Sequence, residues 1–186
     1  MKTIGLMALA TTALALGGCG RAPETTVQNT TEPSVANYAP AAPALAPGQA
    51  FANEAAASDA FEIATSRLAL EKSQSASVKR FANHMITAHT ESTAKLQTAA
   101  GSASPAIVPD PALTAEQTAK LQELEGLSGA EFDRAYIAAQ VDGHQKTLDG
   151  LKAYSANGDV PQLKAFATGL VPTVTAHLNM AKGLKL

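Results

Sequence analysis

Four long segments of this chain repeat apolar residues with the spacing of one α-helical face, and this periodicity constrains the fold most. The second segment, "VKRFANHMITAHTESTAKL", shows it most clearly, with apolar residues at Val78, Phe81, Ala82, Met85 and Leu96. Alanine, a strong helix former with a small side chain, is abundant. Strand-forming residues do not alternate over a useful length, so the pattern predicts an all-α protein.

Capping and helix-breaking residues set the expected limits of the helices. Thr114 and Gln117 have the spacing of a capping box, Gly101 suits a C′ position and Asp159 suits an N-cap. Pro172 falls inside the last segment and predicts a kink near residues 168–172. Helices are expected over residues 49–73, from the Ser-rich 73–77 to 100, over 115–125, over 128–156 and from 161 to 182.

The connections between these segments predict a four-helix bundle. The first two long helices are joined by the short "SQSAS", and the last two by "NGDVPQ", so each pair should form an antiparallel hairpin. A long Pro-bearing loop and the short helix separate the two hairpins. This long crossover, with its extra helix, is typical of the ferritin-like variant of the bundle.

The first 48 residues predict export and a lipid anchor rather than part of the fold. "MKTIGLMALATTALALGGCG" combines a positive charge, an apolar run and small residues, which predicts a signal peptide over residues 1–18. "LGGC" resembles the bacterial lipobox, in which Cys19 carries the lipid, and Gly20 after it favours the periplasmic side of the outer membrane. Residues 19–48 are rich in Pro, Thr and Ala and predict a disordered linker, leaving the domain to residues 49–186.

Charge and cysteine content exclude several function classes. The formal net charge is −2, which argues against a nucleic-acid partner. Cys19 is the only cysteine, so once it is acylated no thiol remains for a disulfide, a thiolate metal site or cysteine catalysis. No other segment has the apolar length of a membrane span.

Histidines within the apolar stripes are the candidate functional residues. His89, His144 and His177 each lie on the apolar face of a different long helix, and Glu62 lies among small residues on the first. His84 lies about 140° around its helix from His89 and is expected in solvent. Counted from the turns, Glu62 and His89 should be level, while His177 should be about 7 Å out of register with His144.

Two explanations for these polar residues remain open. Because unpartnered buried polar groups cost about 1–3 kcal/mol each, the four side chains should share partners, either in a hydrogen-bonded network or around a metal. Imidazoles with one carboxylate suit a single Zn, Fe, Mn or Cu ion. Met85 and Met180, one turn from His89 and His177, would add soft ligands if the ion is copper, although methionine also serves as core filling.

Several motifs in order resemble the bacterial exported family called domain of unknown function 4142. They span about residues 50–184 and are "FEIATSRLALEKS", "VKRFANHMITAHT", "LSGAEFDRAY", "DGHQK" and "LVPTVTAHLNMAKGL". The resemblance implies a ferritin-like helical bundle, and the biochemical function of the family is not established. Glu62, His144 and His177 match the family pattern, as does His89, but Ala88 stands where family members commonly have Asp.

The resemblance also argues against a di-iron centre. Ferritin-like di-iron enzymes use Glu-x-x-His motifs on two helices, whereas Ile86 and Val174 precede His89 and His177 by three residues here. At most one mononuclear site is expected, and ferroxidase activity is not.

Three functions remain to be compared. The first is an envelope lipoprotein that binds one metal ion for storage, buffering or stress protection. The second is a non-catalytic structural or interaction module of the envelope with a hydrogen-bonded His/Glu core. The third, an enzyme with a mononuclear site, is the least supported, because the chain contains no nucleophile–base pair, phosphate loop or nucleotide fingerprint.

Overall fold

The computed structural model describes residues 45–185, and all the regular secondary structure in this range is helical. The helices are α1 (Pro47–Lys72), α2 (Ala76–Gly101), α3 (Ala115–Gly126), α4 (Gly129–Asn157) and α5 (Pro161–Gly183). No strand occurs between residues 45 and 185, which agrees with the predicted all-α class. Cys19, the predicted signal peptide and the predicted linker up to residue 44 lie outside the described residues.

Local capping chemistry sets the start of two helices, α2 and α3. The Ser75 side chain accepts a hydrogen bond from the amide of Val78 and caps α2. At α3 the Thr114 hydroxyl accepts from the Gln117 amide, and the Gln117 side chain accepts from the Thr114 amide, so the predicted capping box is present. The helix starts at Ala76 and Ala115 are thus encoded locally.

Other end residues differ from the expectation. Gly101 is the last residue of α2 rather than a left-handed C′ residue, and Ser102 is the C-cap in a right-handed conformation. Asp159 does not cap α5, because its carboxylate accepts from the Tyr154 hydroxyl and the N-cap is Val160. α1 begins at Pro47, two residues before the expected start. α5 continues through Pro172 to Gly183, as expected of the last helix, and the kink there stays a prediction.

Contacts at the helix ends show that neighbouring long helices run antiparallel. The Lys72 ammonium at the end of α1 donates to the carbonyls of Glu125 and Leu127, just before α4 begins. At the opposite end, a Cβ on Gly48 would lie 2.5 Å from Cγ2 of Val160, which precedes α5. α1 packs on α2 and α4, α5 packs on the same two helices, and α3 lies against α1 and α4.

The core consists of two apolar clusters with polar residues between them. In every long helix the histidine or carboxylates fall between a residue of one cluster and a residue of the other. The first cluster lies toward the start of α1 and includes Phe51, Ala52, Ala56, Leu96, Leu148, Leu151, Leu163 and Ala167. The second lies toward its end and includes Ala69, Val78, Phe81, Met85, Leu124, Phe132, Tyr136 and Ala181. The two clusters therefore enclose a polar layer at mid-height.

None of the helices within residues 45–185 combines the length and the apolar character that crossing a bilayer requires.

Candidate metal site

Three histidines from three helices converge in the polar layer. His89 of α2, His144 of α4 and His177 of α5 each offer a ligand nitrogen, and these nitrogens lie within 4.8 Å of one another. Their ring centroids are separated by 5.5–5.7 Å. All three side chains are buried, with 2–5% of their surface exposed.

The expected register mismatch of His177 is smaller in the structure. His144 lies thirteen residues before the end of α4, and His177 lies sixteen residues after the start of α5. Three residues correspond to about 4.5 Å along a helix. Because the short turn between α4 and α5 need not place both helix ends at the same height, His177 reaches the level of the other two rings.

Asp59 on α1 orients His89. Nδ1 of His89 lies 2.8 Å from Oδ1 of Asp59, and the Thr93 hydroxyl lies 3.2 Å from Oδ2. A carboxylate accepts hydrogen bonds, so Nδ1 carries a proton, and in the neutral ring Nε2 keeps its lone pair. Burial acts to lower the pKa of His89, but the hydrogen bond to Asp59 and the charges of Glu62 and Asp59 outweigh it and raise the pKa.

A backbone carbonyl orients His144 in the same way. Nδ1 of His144 lies 2.8 Å from the carbonyl oxygen of Gln140, one turn earlier in α4. A carbonyl can only accept, so the proton is again on Nδ1 and Nε2 keeps its lone pair. This arrangement, in which one imidazole nitrogen is held by the protein and the other is left for a ligand, is usual for metal-binding histidines.

One nitrogen of each ring is buried and has no hydrogen-bond partner among residues 45–185. These atoms are Nε2 of His89, Nε2 of His144 and Nδ1 of His177, here called the buried nitrogens. A buried polar atom left unsatisfied costs about 1–3 kcal/mol. Three such atoms in one cluster are expensive for a purely structural core, and an ion that accepts their lone pairs would remove this cost.

His177 is held in its neutral form. Burial, with the neighbouring imidazoles of His89, His144 and His84, lowers the pKa of His177 to about 3. A neutral imidazole is the form that binds a metal. His177 is therefore ready to act as a ligand over the whole physiological pH range.

Glu62 does not lie with the three rings. It is buried, its Oε1 is 3.7 Å from Nδ1 of His144, and it is not part of the group formed by the three histidines. The Glu62 carboxylate lies over Gly143, where an added Cβ would be 3.1 Å from Oε1. Of the four predicted ligands, the structure brings the three histidines together, and Glu62 lies beside His144.

The two methionines lie in different surroundings. Met85 is fully buried in the second apolar cluster, as expected of core filling. Met180 is 40% exposed and lines a surface groove together with His84 and His177.

Two residues near the cluster were not found from the sequence. Asp59 contacts Nδ1 of His89, and it precedes Glu62 by three residues, so a shared helix face was the available signal. His84 is exposed as expected, yet its ring centroid lies 5.2 Å from that of His177. The sequence of α2 alone could not indicate the contact between His84 and His177, because this contact depends on how α5 packs against α2.

Fold and site together define an all-helical protein with three converging histidines in its core. The family model described as domain of unknown function (DUF4142) matches residues 31–184, and the chain belongs to this family. The match confirms the resemblance and extends into the segment predicted to be linker.

One solved structure of similar fold is that of CopM in the Cu(II)-bound form. It has a TM-score of 0.61 and 17% sequence identity, and the match covers 73% of this chain and 93% of that chain. At this identity the likeness concerns the fold. No curated protein sequence matches the chain significantly.

Proposed function

We propose that this protein binds a single transition-metal ion through the buried nitrogens of His89, His144 and His177, and that the ion is copper. The observation that carries the proposal is the convergence of three buried imidazoles from three helices, each with one buried nitrogen that has no hydrogen-bond partner among residues 45–185. Hydrogen bonds to Asp59 and to the Gln140 carbonyl already orient two of the rings for this role.

The donor set fits one ion with a small adjustment. Nitrogens bound tetrahedrally at about 2.0–2.1 Å lie about 3.4 Å apart, so the present spread of up to 4.8 Å must contract by about 1.4 Å. Side-chain torsions can supply a shift of this size. Three imidazoles leave at least one coordination position for water or another ligand, and Glu62 and Asp59 compensate the charge of the ion from behind the rings.

Copper is favoured by chemistry and by the fold comparison. Among divalent first-row ions, a nitrogen site binds Cu(II) most tightly, ahead of Zn, Fe and Mn. CopM, whose fold is similar, is described in a Cu(II)-bound form. Neither a carboxylate bridge nor a second cluster of ligands is found among residues 45–185, which argues for one ion rather than a di-iron centre.

The proposed cellular setting comes from the sequence. We propose a ferritin-like four-helix bundle that is exported and lipid-anchored through Cys19 at the periplasmic side of the outer membrane, with its N-terminal linker holding the bundle away from the membrane. There it would store or buffer the metal and protect the envelope from it, without catalysis.

Metal analysis of the purified full chain tests the proposal. The wild type should retain one copper ion after dialysis, and His89→Leu and His144→Leu should each lose it while remaining folded. His84→Leu, which removes an exposed histidine, is the matched control and should keep one ion.

The second candidate function is the structural module, supported by the Asp59–His89 and His144–Gln140 hydrogen bonds. It predicts that no variant or wild type holds metal, and that both core substitutions destabilise the protein. A wild type that binds no transition metal at micromolar concentrations would overturn the metal proposal.

A further inference from the structure

A groove between α2 and α5 runs along the surface beside the histidine cluster. Its volume is about 340 Å³, and its lining includes the exposed His84 of α2 and the partly exposed Met180 of α5. An imidazole and a thioether therefore line the same groove. Both are ligands for soft metal ions.

His177 connects this groove with the core. Its side chain lines the groove, and its ring centroid is 5.2 Å from that of His84. The same ring is 5.7 Å from His89 and 5.5 Å from His144. It also lines a small inner cavity together with His89 and Asp59. His177 is therefore the side chain that both the surface groove and the buried cluster share.

We propose that the groove is the entry site for the metal of the buried cluster, which rests on the function proposed above. A copper ion first binds His84 and Met180 at the surface. It then passes to His177 and from there to the buried nitrogens of His89 and His144. The transfer is an exchange of ligands, one at a time, and the ion keeps its oxidation state throughout.

The chemistry of the ligands, rather than the charge of the groove, gives it selectivity. Glu91 and Lys95 both line the groove, so their opposite charges offset each other. What remains is an imidazole and a thioether, which select copper over the hard cations Mg²⁺ and Ca²⁺. Exposed side chains change rotamer within nanoseconds, so ligand exchange in the groove need not limit the delivery of the ion.

The rate of metal loading tests this inference, with equilibrium stoichiometry measured beside it. Full-length wild type, His84→Ala and His84→Phe are mixed with Cu²⁺ in a stopped-flow instrument, and the absorbance of the bound ion is followed. Both variants should load about tenfold more slowly, equivalent to about 1.4 kcal/mol at the barrier, and should still reach one ion. Asn83→Ala, an exposed neighbour outside the groove, should load at the wild-type rate.

The phenylalanine variant separates ligation from packing, because it keeps an aromatic ring against His177 but has no nitrogen. If His84→Phe loads as fast as wild type while His84→Ala is slow, the contact only supports His177, and the entry site is refuted. Met180→Leu, in which the new side chain is similar in volume, should load Cu⁺ more slowly than the wild type and load Co²⁺ at the same rate. If the variant and the wild type load Cu⁺ at equal rates, Met180 is not part of the route.

The outcome also distinguishes failure of the two proposals. If the wild type binds one ion and the His84 variants load at its rate, the entry route is wrong and the buried site stands. If the wild type binds no ion at equilibrium, the proposed function itself fails.

Discussion

Asp59→Asn changes the charge beside the proposed metal site with little change in shape. The asparagine carbonyl can still accept from Nδ1 of His89. Its amide can donate to the Thr93 hydroxyl, which is free to accept because it also donates to the His89 carbonyl at 2.9 Å. The variant should therefore fold like the wild type, and the lost quantity is the negative charge on the carboxylate.

Losing this charge should weaken metal binding. Replacing the hydrogen-bonded partner of a metal-binding histidine typically costs 10–100-fold in affinity, or about 1.4–2.7 kcal/mol. Competition titration of the full chain against a copper chelator measures this change. Asp149→Asn, which alters an exposed carboxylate on α4, is the control and should leave the affinity unchanged.

The reasoning would be refuted if Asp59→Asn bound copper as tightly as the wild type while its free energy of unfolding fell. That result would assign Asp59 a structural role only.

Three further predictions concern the metal-free and the metal-loaded protein. Substituting His177→Leu removes a buried nitrogen that has no partner within residues 45–185. Denaturant unfolding with a chelator present should therefore show the metal-free protein stabilised by about 1–3 kcal/mol. A lower free energy of unfolding would mean that the ring is structural. The pKa of His177 is lowered to about 3, so its native form binds fewer protons than the unfolded chain below pH 6.5. His177 should therefore lower the free energy of unfolding of the metal-free wild type by about 2 kcal/mol between pH 7.5 and 5, and His177→Leu should not show this loss. His89, with its raised pKa, acts in the opposite direction in both proteins. Leu96→Ala, in the first apolar cluster, should lower stability by about 2–5 kcal/mol yet keep one bound ion, and loss of the ion from folded protein would contradict the separation of site and core.

The helical architecture could be predicted from the sequence because it depends on local signals. Apolar periodicity fixed which segments are helical, and the Thr114–Gln117 capping box fixed the start of α3. Helix ends were less predictable. Asp159 is a residue type that often caps helices, but its carboxylate accepts a hydrogen bond from the hydroxyl of Tyr154, five residues earlier, instead.

The site was predictable only as far as each helix could be considered alone. The spacing of His89, His144 and His177 within apolar stripes was enough to indicate three inward-facing rings. The roles of Glu62 and Asp59 depended on which carboxylate of α1 faces which ring, and that is decided by the packing of α1 against α2 and α4. Periodicity places both acids on one face and cannot rank them.

X-ray absorption at the copper edge of the loaded full chain tests the central claim most directly. The account predicts one ion with three imidazole nitrogens at about 2.0–2.1 Å, and loss of imidazole scattering in His144→Leu. A spectrum dominated by oxygen or sulfur ligands, or one that is unchanged in His144→Leu, would contradict it.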